Sequence, residues 1–232
     1  MSKMPNGFCD LVLTSPPYNM GGKSLGYQPR SKIADKHYDV YCDDRNNGEY
    51  VEWILKVVGE CLRVSRYVFF NIQFLNSTRD AIFALQEKYK GNIKDIFIWK
   101  KQAVANITAK NGGMAKGWEY VFLLGQDDAM NFSYHNFPEN GYVPNIKDWY
   151  KKETFKEHHA TFTQEMAGYF VSYFTKPNDT IYDCFMGTGT TAVAAIKYNR
   201  NFIGSEISEK YCQIANKRIE PLQMQQTLNF NN

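Results

Sequence analysis

The segment Ser15-Pro16-Pro17-Tyr18-Asn19 combines residue types that could hold an amino group on a planar heterocycle. Two consecutive prolines fix φ and remove two N–H donors, so the carbonyls beside them become stiff acceptors. The Ser15 hydroxyl and the Pro16 carbonyl could accept the hydrogens of an amino group, while the Tyr18 ring could stack on the heterocycle. The alternative is a disordered segment, because Pro-Pro-Tyr also occurs in ligands of WW domains.

A second segment that could do chemistry is Asp183-Cys184-Phe185-Met186-Gly187-Thr188-Gly189-Thr190. Its glycines let the backbone turn sharply and approach a ligand, and the start of a following helix offers free N–H groups to a carboxylate. Glu206, expected at the end of the next strand, could hold ribose hydroxyls. The third glycine of a dinucleotide fingerprint is absent. A nucleoside with an amino-acid tail and no pyrophosphate describes S-adenosylmethionine; a tight turn without a ligand is the alternative.

Apolar runs alternate with stretches of helical periodicity, which predicts an α/β fold with a mostly parallel central sheet and helices on both faces. Strands are predicted at 10–14, 67–72, 93–99, 120–124, 180–185 and 202–206. Helices are predicted at 50–64, 77–89, 163–174, 190–198 and 208–219, the last with Ser208 as its N-cap. Residues 125–157 show no core-facing pattern, and the tail after Pro221 is expected to fray.

The composition narrows the class of protein. The 232 residues are 44% hydrophobic and 16% aromatic, which suits one globular α/β domain with a sizeable core. No apolar run approaches the ~20 residues that span a bilayer, and the N-terminus lacks the apolar region of a secretory signal. Five scattered cysteines form no CxxC pair, which favours free thiols in a reducing cytoplasm and no metal site.

The net charge of +3 is too small to identify a nucleic-acid partner, but the charge is unevenly distributed. Residues 87–117 contain seven lysines and only two acids. These lysines are Lys88, Lys90, Lys94, Lys100, Lys101, Lys110 and Lys116. Such an excess could contact DNA phosphates, with Lys101, Lys110 and Lys116 as candidates. A solvated lysine-rich face is the alternative.

The two motifs together resemble those of the amino-directed DNA methyltransferases. In that family an (Asp/Asn/Ser)-Pro-Pro-(Tyr/Phe) motif works with a Phe-x-Gly-x-Gly cofactor loop, and the matches here are residues 15–18 and 185–189. The catalytic motif comes first, which resembles the β-class order. Residues 180–185 and 201–211 are similar to the family's two cofactor strands, and the segment from His159 to Phe162 resembles one that contacts the cofactor.

This resemblance implies a Rossmann-like methyltransferase fold that binds S-adenosylmethionine and acts on double-stranded DNA. It implies a single domain over residues 1–232, with an inserted target-recognition region at about 101–156. The methyl group would go to the exocyclic amino group of a flipped-out base. By resemblance the catalytic residues are Ser15, Pro16, Pro17, Tyr18 and Asn19. The cofactor contacts are Asp183, Phe185, Met186, Gly187, Thr188, Gly189, Thr190, Glu206, His159 and Phe162.

Two departures from the family pattern concern the adenine pocket and the target base. The family usually has a strand and a helix before the catalytic strand, whereas nine residues precede Asp10 here. We expect either a pocket completed in another way or a shortened form. Ser15 stands where adenine enzymes more often carry Asp, which favours N4 of cytosine. Asn19 and the abundance of adenine enzymes favour N6 of adenine, which is slightly preferred.

Several alternatives remain at this level. Asn71 could reach the target pocket from a strand end or could cap a helix. His158 and His159 are more typical of structural histidines than of catalytic ones. A non-catalytic DNA-binding subunit and an RNA methyltransferase remain open as functions, whereas the motif order disfavours a protein methyltransferase. A homodimer and a cognate restriction endonuclease are candidate further partners, and the expected location is the cytoplasm.

Overall fold

The computed structural model describes residues 1–20, 43–101, 117–126, 143–148 and 163–230. In these residues seven strands alternate with five helices. The strands are β1 (Cys9–Thr14), β2 (Ser65–Ile72), β3 (Ile93–Lys100), β4 (Trp118–Gly125), β5 (Ile146–Asp148), β6 (Thr180–Asp183) and β7 (Asn201–Gly204). The helices are α1 (Asn47–Val64), α2 (Arg79–Lys88), α3 (Gln164–Phe174), α4 (Thr190–Lys197) and α5 (Glu209–Phe230).

The strands form one sheet in the order β5-β3-β4-β2-β1-β6-β7. Strand β4 runs antiparallel to both of its neighbours, and every other pair is parallel. The predicted mostly parallel sheet is therefore confirmed. The carboxyl ends of β6, β1 and β2 lie at the same edge, and the antiparallel β4 begins there, since Ile72 pairs with Tyr120. Loops that follow these strands are thereby brought together.

Both faces of the sheet are covered by helices, because buried side chains alternate along its central strands. In β2, Val68 and Phe70 pack with α1 and α2, whereas Tyr67 and Phe69 pack with α3 on the other face. The Phe69 ring lies 4.5 Å from the ring of Phe170 in α3. This period of two is what a strand between two apolar layers requires.

Polar side chains define where three of the helices begin. The Asn46 side chain accepts from the Glu49 N–H at 2.9 Å, and Thr163 accepts from Met166 at 3.0 Å. Ser208 accepts from the Tyr211 N–H at 3.1 Å, which confirms the predicted cap. These bonds satisfy N–H groups that have no partner within the helix. Helix α1 starts earlier than the predicted residue 50 because the Asn46 cap was missed.

The end predicted for the last helix is wrong. Helix α5 continues through Pro221 to Phe230, whereas the sequence predicted an end near Ile219 and a frayed tail. A proline removes one backbone donor and normally ends or kinks a helix. Here Leu222, directly after the proline, packs against the cluster formed by α4 and α5, which stabilises the continuation.

Strand β5 was not predicted at all. It pairs with β3 over only three residues, with Ile98 opposite Ile146. Its side chains are exposed or half-buried, so the segment has no apolar alternation to recognise. In the described parts of the chain, no helix has both the length and the apolar character needed to cross a membrane.

Candidate active site

The motif that follows β1 is held by hydrogen bonds from two helices. The Tyr50 hydroxyl in α1 donates to the Pro17 carbonyl at 2.8 Å. The Ser77 hydroxyl, just before α2, donates to the Tyr18 carbonyl at 2.7 Å. Among the described residues, nothing donates to the Pro16 carbonyl. The structure thus fixes two carbonyls of the motif and leaves that of Pro16 available as an acceptor.

Asn19 closes the motif with a left-handed backbone conformation, φ 55°, which asparagine tolerates better than most residues. The Asp43 carboxylate accepts from the N–H groups of Asn19 at 2.8 Å and Met20 at 3.0 Å. The Asn19 side-chain amide donates to the Arg45 carbonyl at 2.8 Å and accepts from its N–H at 2.7 Å. Both polar atoms of this side chain are engaged, so we propose that Asn19 shapes the loop and does not contact the base.

The Tyr18 hydroxyl lies at the centre of a polar cluster beside the motif. Its oxygen is 2.9 Å from Glu119 Oε2, 3.2 Å from Ser15 Oγ and 3.3 Å from Asn71 Oδ1. Glu119 is only 4% exposed, and its other carboxylate oxygen forms an ion pair with Lys101. Ser15 and Tyr18 follow β1, Lys101 follows β3, and Asn71 and Glu119 lie in β2 and β4, so the cluster forms where these four strands meet at one edge of the sheet.

Asn71 occupies the last part of β2 and is nearly fully buried. Its Oδ1 lies 3.3 Å from the Tyr18 hydroxyl oxygen, and its amide donates to the Tyr120 carbonyl at 2.9 Å. It therefore lies next to the motif that follows β1 and does not cap a helix. The sequence prediction had left these two positions open.

Asp183 connects the motif after β1 with the loop after β6. Its fully buried carboxylate accepts from Thr14 Oγ1 at 2.7 Å, Thr191 Oγ1 at 2.6 Å and the Phe185 N–H at 3.1 Å. Burial raises the pKa of Asp183 to about 6, although these three hydrogen bonds oppose the rise. Because Thr14 directly precedes Ser15, this carboxylate fixes the motif after β1 against the loop after β6.

The loop after β6 depends on glycine conformations. Gly187 and Gly189 have φ values of 52° and 82°, which side chains rarely adopt. A Cβ on Gly189 would also lie 3.0 Å from the Ala215 Cβ of α5. The Glu206 carboxylate accepts from the N–H of Gly187 and from that of Ser208, each at 2.8 Å. Glu206 thus fixes the backbone of the loop through these two bonds, and its side chain is half-buried.

Met186 and Thr188 are held from opposite sides of the loop. The Met186 N–H donates to the Ser205 carbonyl at 3.0 Å, and its sulfur lies where a Cβ of Gly204 would be. Thr188 is buried, and both its carbonyl and its hydroxyl accept from Arg218 of α5. The Thr188 side chain is therefore committed to packing within the protein.

Helix α1 reaches both loops through its aromatic residues. The Trp53 ring lies 5.5 Å from Phe185 and 5.9 Å from Tyr50. The Arg45 guanidinium lies 5.1 Å from the centre of the Trp53 ring. Since Tyr50 also donates to the Pro17 carbonyl, one helix supports the motif after β1 and places an aromatic ring beside the loop after β6.

Comparison with known families tests the predicted family. A profile of the N6 and N4 methyltransferases, described as DNA methylase, matches residues 9–217. This chain belongs to that DNA methylase family. The match spans both motifs in the order predicted, so the resemblance to amino-directed, S-adenosylmethionine-dependent DNA methyltransferases is confirmed.

Individual relatives match the methylase over different lengths. Type II methyltransferase M.BglI of Bacillus subtilis is 45% identical over 79 residues, which cover 34% of this chain and 21% of that protein. DNA adenine methyltransferase YhdJ of Escherichia coli K12 is 23% identical over 95% of this chain and 79% of its own length. The solved PvuII DNA methyltransferase, which is cytosine-N4-specific, superposes with a TM-score of 0.70 at 15% identity, covering 96% and 86% of the two chains. This superposition confirms the methyltransferase fold.

The methylase structure places the predicted site residues in two groups. Ser15, Pro16 and Tyr18, which follow β1, lie together with Asn71 at the end of β2. The second group lies in the loop after β6, at the start of α4 and at the end of β7, and consists of Asp183, Phe185, Met186, Gly187, Gly189, Thr190 and Glu206. His159, Phe162, Lys110 and Lys116 fall outside the described residues, as does most of region 101–156.

Sequence reasoning missed several residues of the methylase site. Glu119 had a readable signal, since it is the one acid in the otherwise apolar and aromatic strand β4. Thr14, Tyr50 and Trp53 had none, because their roles arise from contacts across the fold. Gly204 stood in a segment matched to the family, yet only the structure shows that it makes room for Met186.

Proposed function

We propose that this methylase transfers a methyl group from S-adenosylmethionine to the exocyclic amino group of a base flipped out of double-stranded DNA. The N6 of adenine is slightly favoured over the N4 of cytosine. The observation that carries the proposal is the bond from Thr14 to Asp183 at 2.7 Å. It fixes an amino-binding motif directly beside a glycine loop suited to a nucleoside with an amino-acid tail.

The loop residues fit this cofactor. The half-buried Glu206 keeps lone pairs beyond the two that Gly187 and Ser208 use, and these could accept from ribose hydroxyls. The rings of Trp53 and Phe185 offer apolar walls to a planar adenine. Bound S-adenosylmethionine would supply a methyl group already activated on a sulfonium.

The chain itself positions and polarises the target nitrogen. Ser15 and the Pro16 carbonyl accept its hydrogens, which directs the nitrogen lone pair towards the methyl group. As the new N–C bond forms and the S–C bond breaks, the nitrogen gains positive charge and these acceptors bind it more strongly. S-adenosylhomocysteine would be the leaving group, and the amino proton would be lost to solvent. Most of the acceleration therefore comes from orientation.

The Tyr18 ring stacks on the flipped base. Extruding a base costs a few kcal/mol, and stacking on an aromatic side chain returns about 1–3 kcal/mol. The bonds from the Tyr18 hydroxyl to the buried cluster restrict the ring to one orientation. A ring that is fixed before the base arrives loses less entropy when the base stacks.

Nucleoside analysis tests the function and the target base together. DNA from cells that express the chain should contain N6-methyladenine, whereas DNA from cells with an empty vector should not. The measurement is enzymatic digestion followed by separation of the nucleosides and mass spectrometry. N4-methylcytosine alone would overturn the choice of base and leave the chemistry standing. Cytosine methylated at C5 would contradict the mechanism, because that reaction needs a cysteine nucleophile. Unmodified DNA would refute the function.

Further assignments on target recognition, phosphate contacts, partners and location belong to this proposal. We assign target recognition to residues 101–156, within a single methyltransferase domain, because of their lysines and irregular polar composition. The lysines would bind phosphates and act on affinity rather than on sequence choice. A homodimer, a cognate restriction endonuclease and a cytoplasmic location are consistent with a DNA-modifying enzyme that has free cysteines.

A further inference from the structure

Ser15 carries a hydroxyl proton, which an ionised acidic residue at this position would lack. A carboxylate is only an acceptor, whereas a hydroxyl both donates and accepts. The target amino group needs acceptors for its hydrogens, and its lone pair must stay free for the methyl group. A Ser15 proton that pointed at this nitrogen would repel the amino hydrogens and compete for the lone pair. Serine can serve here only if its own proton is held in another direction.

The Tyr18 hydroxyl oxygen is placed to accept the Ser15 proton and so to hold it away from the target. Its oxygen lies 3.2 Å from Ser15 Oγ, and either atom could be the donor. Tyr18 has one hydroxyl proton, and the nearest acceptor in the described part of the chain is Glu119 at 2.9 Å. Asn71 at 3.3 Å is more distant and uncharged, so the carboxylate is the stronger acceptor. With its proton on Glu119, the Tyr18 oxygen is left to accept from Ser15.

Lys101 supplies the counter-charge of Glu119. The Glu119 carboxylate is only 4% exposed, and a charge that is taken out of water needs a partner close by. The Lys101 ammonium pairs with the carboxylate oxygen that Tyr18 does not use. Lys101 directly follows β3, and Glu119 lies at the start of the adjacent β4. The backbone holds the pair in place, since the Lys101 N–H donates to the Gly117 carbonyl at 2.7 Å.

We propose that Lys101 and Glu119 are positioning residues that order the protons of Tyr18 and Ser15. Hydrogen bonds then run from Ser15 to Tyr18 and from Tyr18 to Glu119, with Lys101 beyond. Ser15 turns its lone pairs to the target amino group and works there as an acceptor, as a carboxylate would. This role rests on the proposed function, and it takes Lys101 out of the set of phosphate contacts.

Glu119→Gln tests the direction of these bonds with almost no change in shape. Lys101 would attract the amide oxygen, which turns the amide N–H₂ towards Tyr18. Tyr18 then loses its carboxylate acceptor and its proton is shared between Ser15 and Asn71 Oδ1, so the Ser15 proton is no longer held away from the target. We expect kcat to fall about 10- to 100-fold, the range for one hydrogen bond to a charged group. The KM for DNA and the affinity for S-adenosylhomocysteine should not change.

Ser15→Asp separates proton ordering from a merely structural role. An aspartate at position 15 is an acceptor whatever Tyr18 does, so Glu119→Gln should no longer lower kcat in this background. The double variant should exceed the Glu119→Gln single variant in kcat. If Glu119→Gln lowers kcat by the same factor in both backgrounds, or leaves the parent unchanged, the proposal is overturned.

A substitute variant and a control variant complete the test. If Glu119→Gln does not fold, Tyr18→Phe takes its place, because it removes the ordering hydroxyl and leaves the ion pair intact. It should lower kcat with Ser15 and not with Asp at that position, and equal losses would refute the role. Glu87→Gln, in an exposed pair with Lys90, is the matched control and should behave like the parent. A wild-type chain that methylates no DNA would instead refute the proposed function, and this inference with it.

Discussion

On the proposed cofactor side, the carboxylates of Asp183 and Glu206 accept mostly from groups within one loop and its flanks. On the proposed target side, Tyr18 after β1, Asn71 of β2 and Glu119 of β4 meet through their side chains. The first arrangement depends on backbone conformation, and the second depends on the match of charges and protons. A substitution that changes the backbone should therefore impair the first side and leave the second intact. A substitution that changes a charge should do the reverse.

The largest effect should follow a change of backbone on the cofactor side. Gly187→Val forces a β-branched residue into the left-handed region and disturbs the bond from its N–H to Glu206. We expect the affinity for S-adenosylhomocysteine, measured by calorimetry, to fall about 100-fold, from strain and one charge-assisted bond together. Gly7→Val is the control, since Gly7 has φ 62° in a turn before β1. It should lower stability without changing the affinity. Unchanged binding in Gly187→Val would show that the loop does not hold the cofactor.

A smaller effect should follow a change of charge on the target side. Lys101→Met leaves the buried Glu119 without its counter-charge. We expect the free energy of unfolding, measured in urea, to fall by about 1–3 kcal/mol, somewhat below the cost of breaking a fully buried pair. The affinity for S-adenosylhomocysteine should remain at the parental value. Lys100→Met removes the exposed pair with Asp148 and should change stability by less than about 0.5 kcal/mol. Equal effects of the two variants would show that the pair of Lys101 with Glu119 contributes no more than an exposed ion pair.

The smallest effect concerns Asp183, which belongs to both halves. Burial raises the pKa of Asp183 from 3.8 to about 6, so the folded state binds this proton more tightly than the unfolded chain does. That stabilisation is present at low pH and is lost as the pH rises through 6. Relative to Asp183→Asn, the wild type should gain about 1.4 kcal/mol of stability between pH 7 and pH 5. Urea unfolding of both proteins at the two pH values measures this, and a constant difference would argue against the buried carboxylate.

The difference between contacts within one loop and contacts between distant strands also explains which features the sequence could predict. Strands β1 and β2, helix α3 and the glycine loop were predictable because apolar periodicity, turn residues and caps act over a few neighbouring positions. The cofactor loop was predictable for the same reason, since a strand, two glycines and the start of a helix are contiguous. Where local signals failed, as at Pro221 and in β5, distant packing or pairing with another strand decided the outcome.

The target side could be predicted only in part. The motif from Ser15 to Tyr18 was visible, but its orientation depends on Glu119, which lies 101 residues from Tyr18 in sequence. Register places Glu119 there, because β4 runs antiparallel between β2 and β3. A chain of hydrogen bonds between side chains on different strands leaves no periodic trace in the sequence. The charge of Lys101 suggested phosphate, whereas the structure turns it inward.

The two outer strands of the sheet also bear on how the protein behaves at high concentration. In the described residues, the sheet ends at β5 with three residues and at β7 with four. A long, flat edge strand is a template for strands of other molecules, and short or charged edges are how soluble sheets avoid such pairing. Lys147 and Asp148 lie in one edge and Asn201 in the other. Within the described residues, these short edges are therefore poor templates for pairing between molecules, although the central strands are strongly apolar.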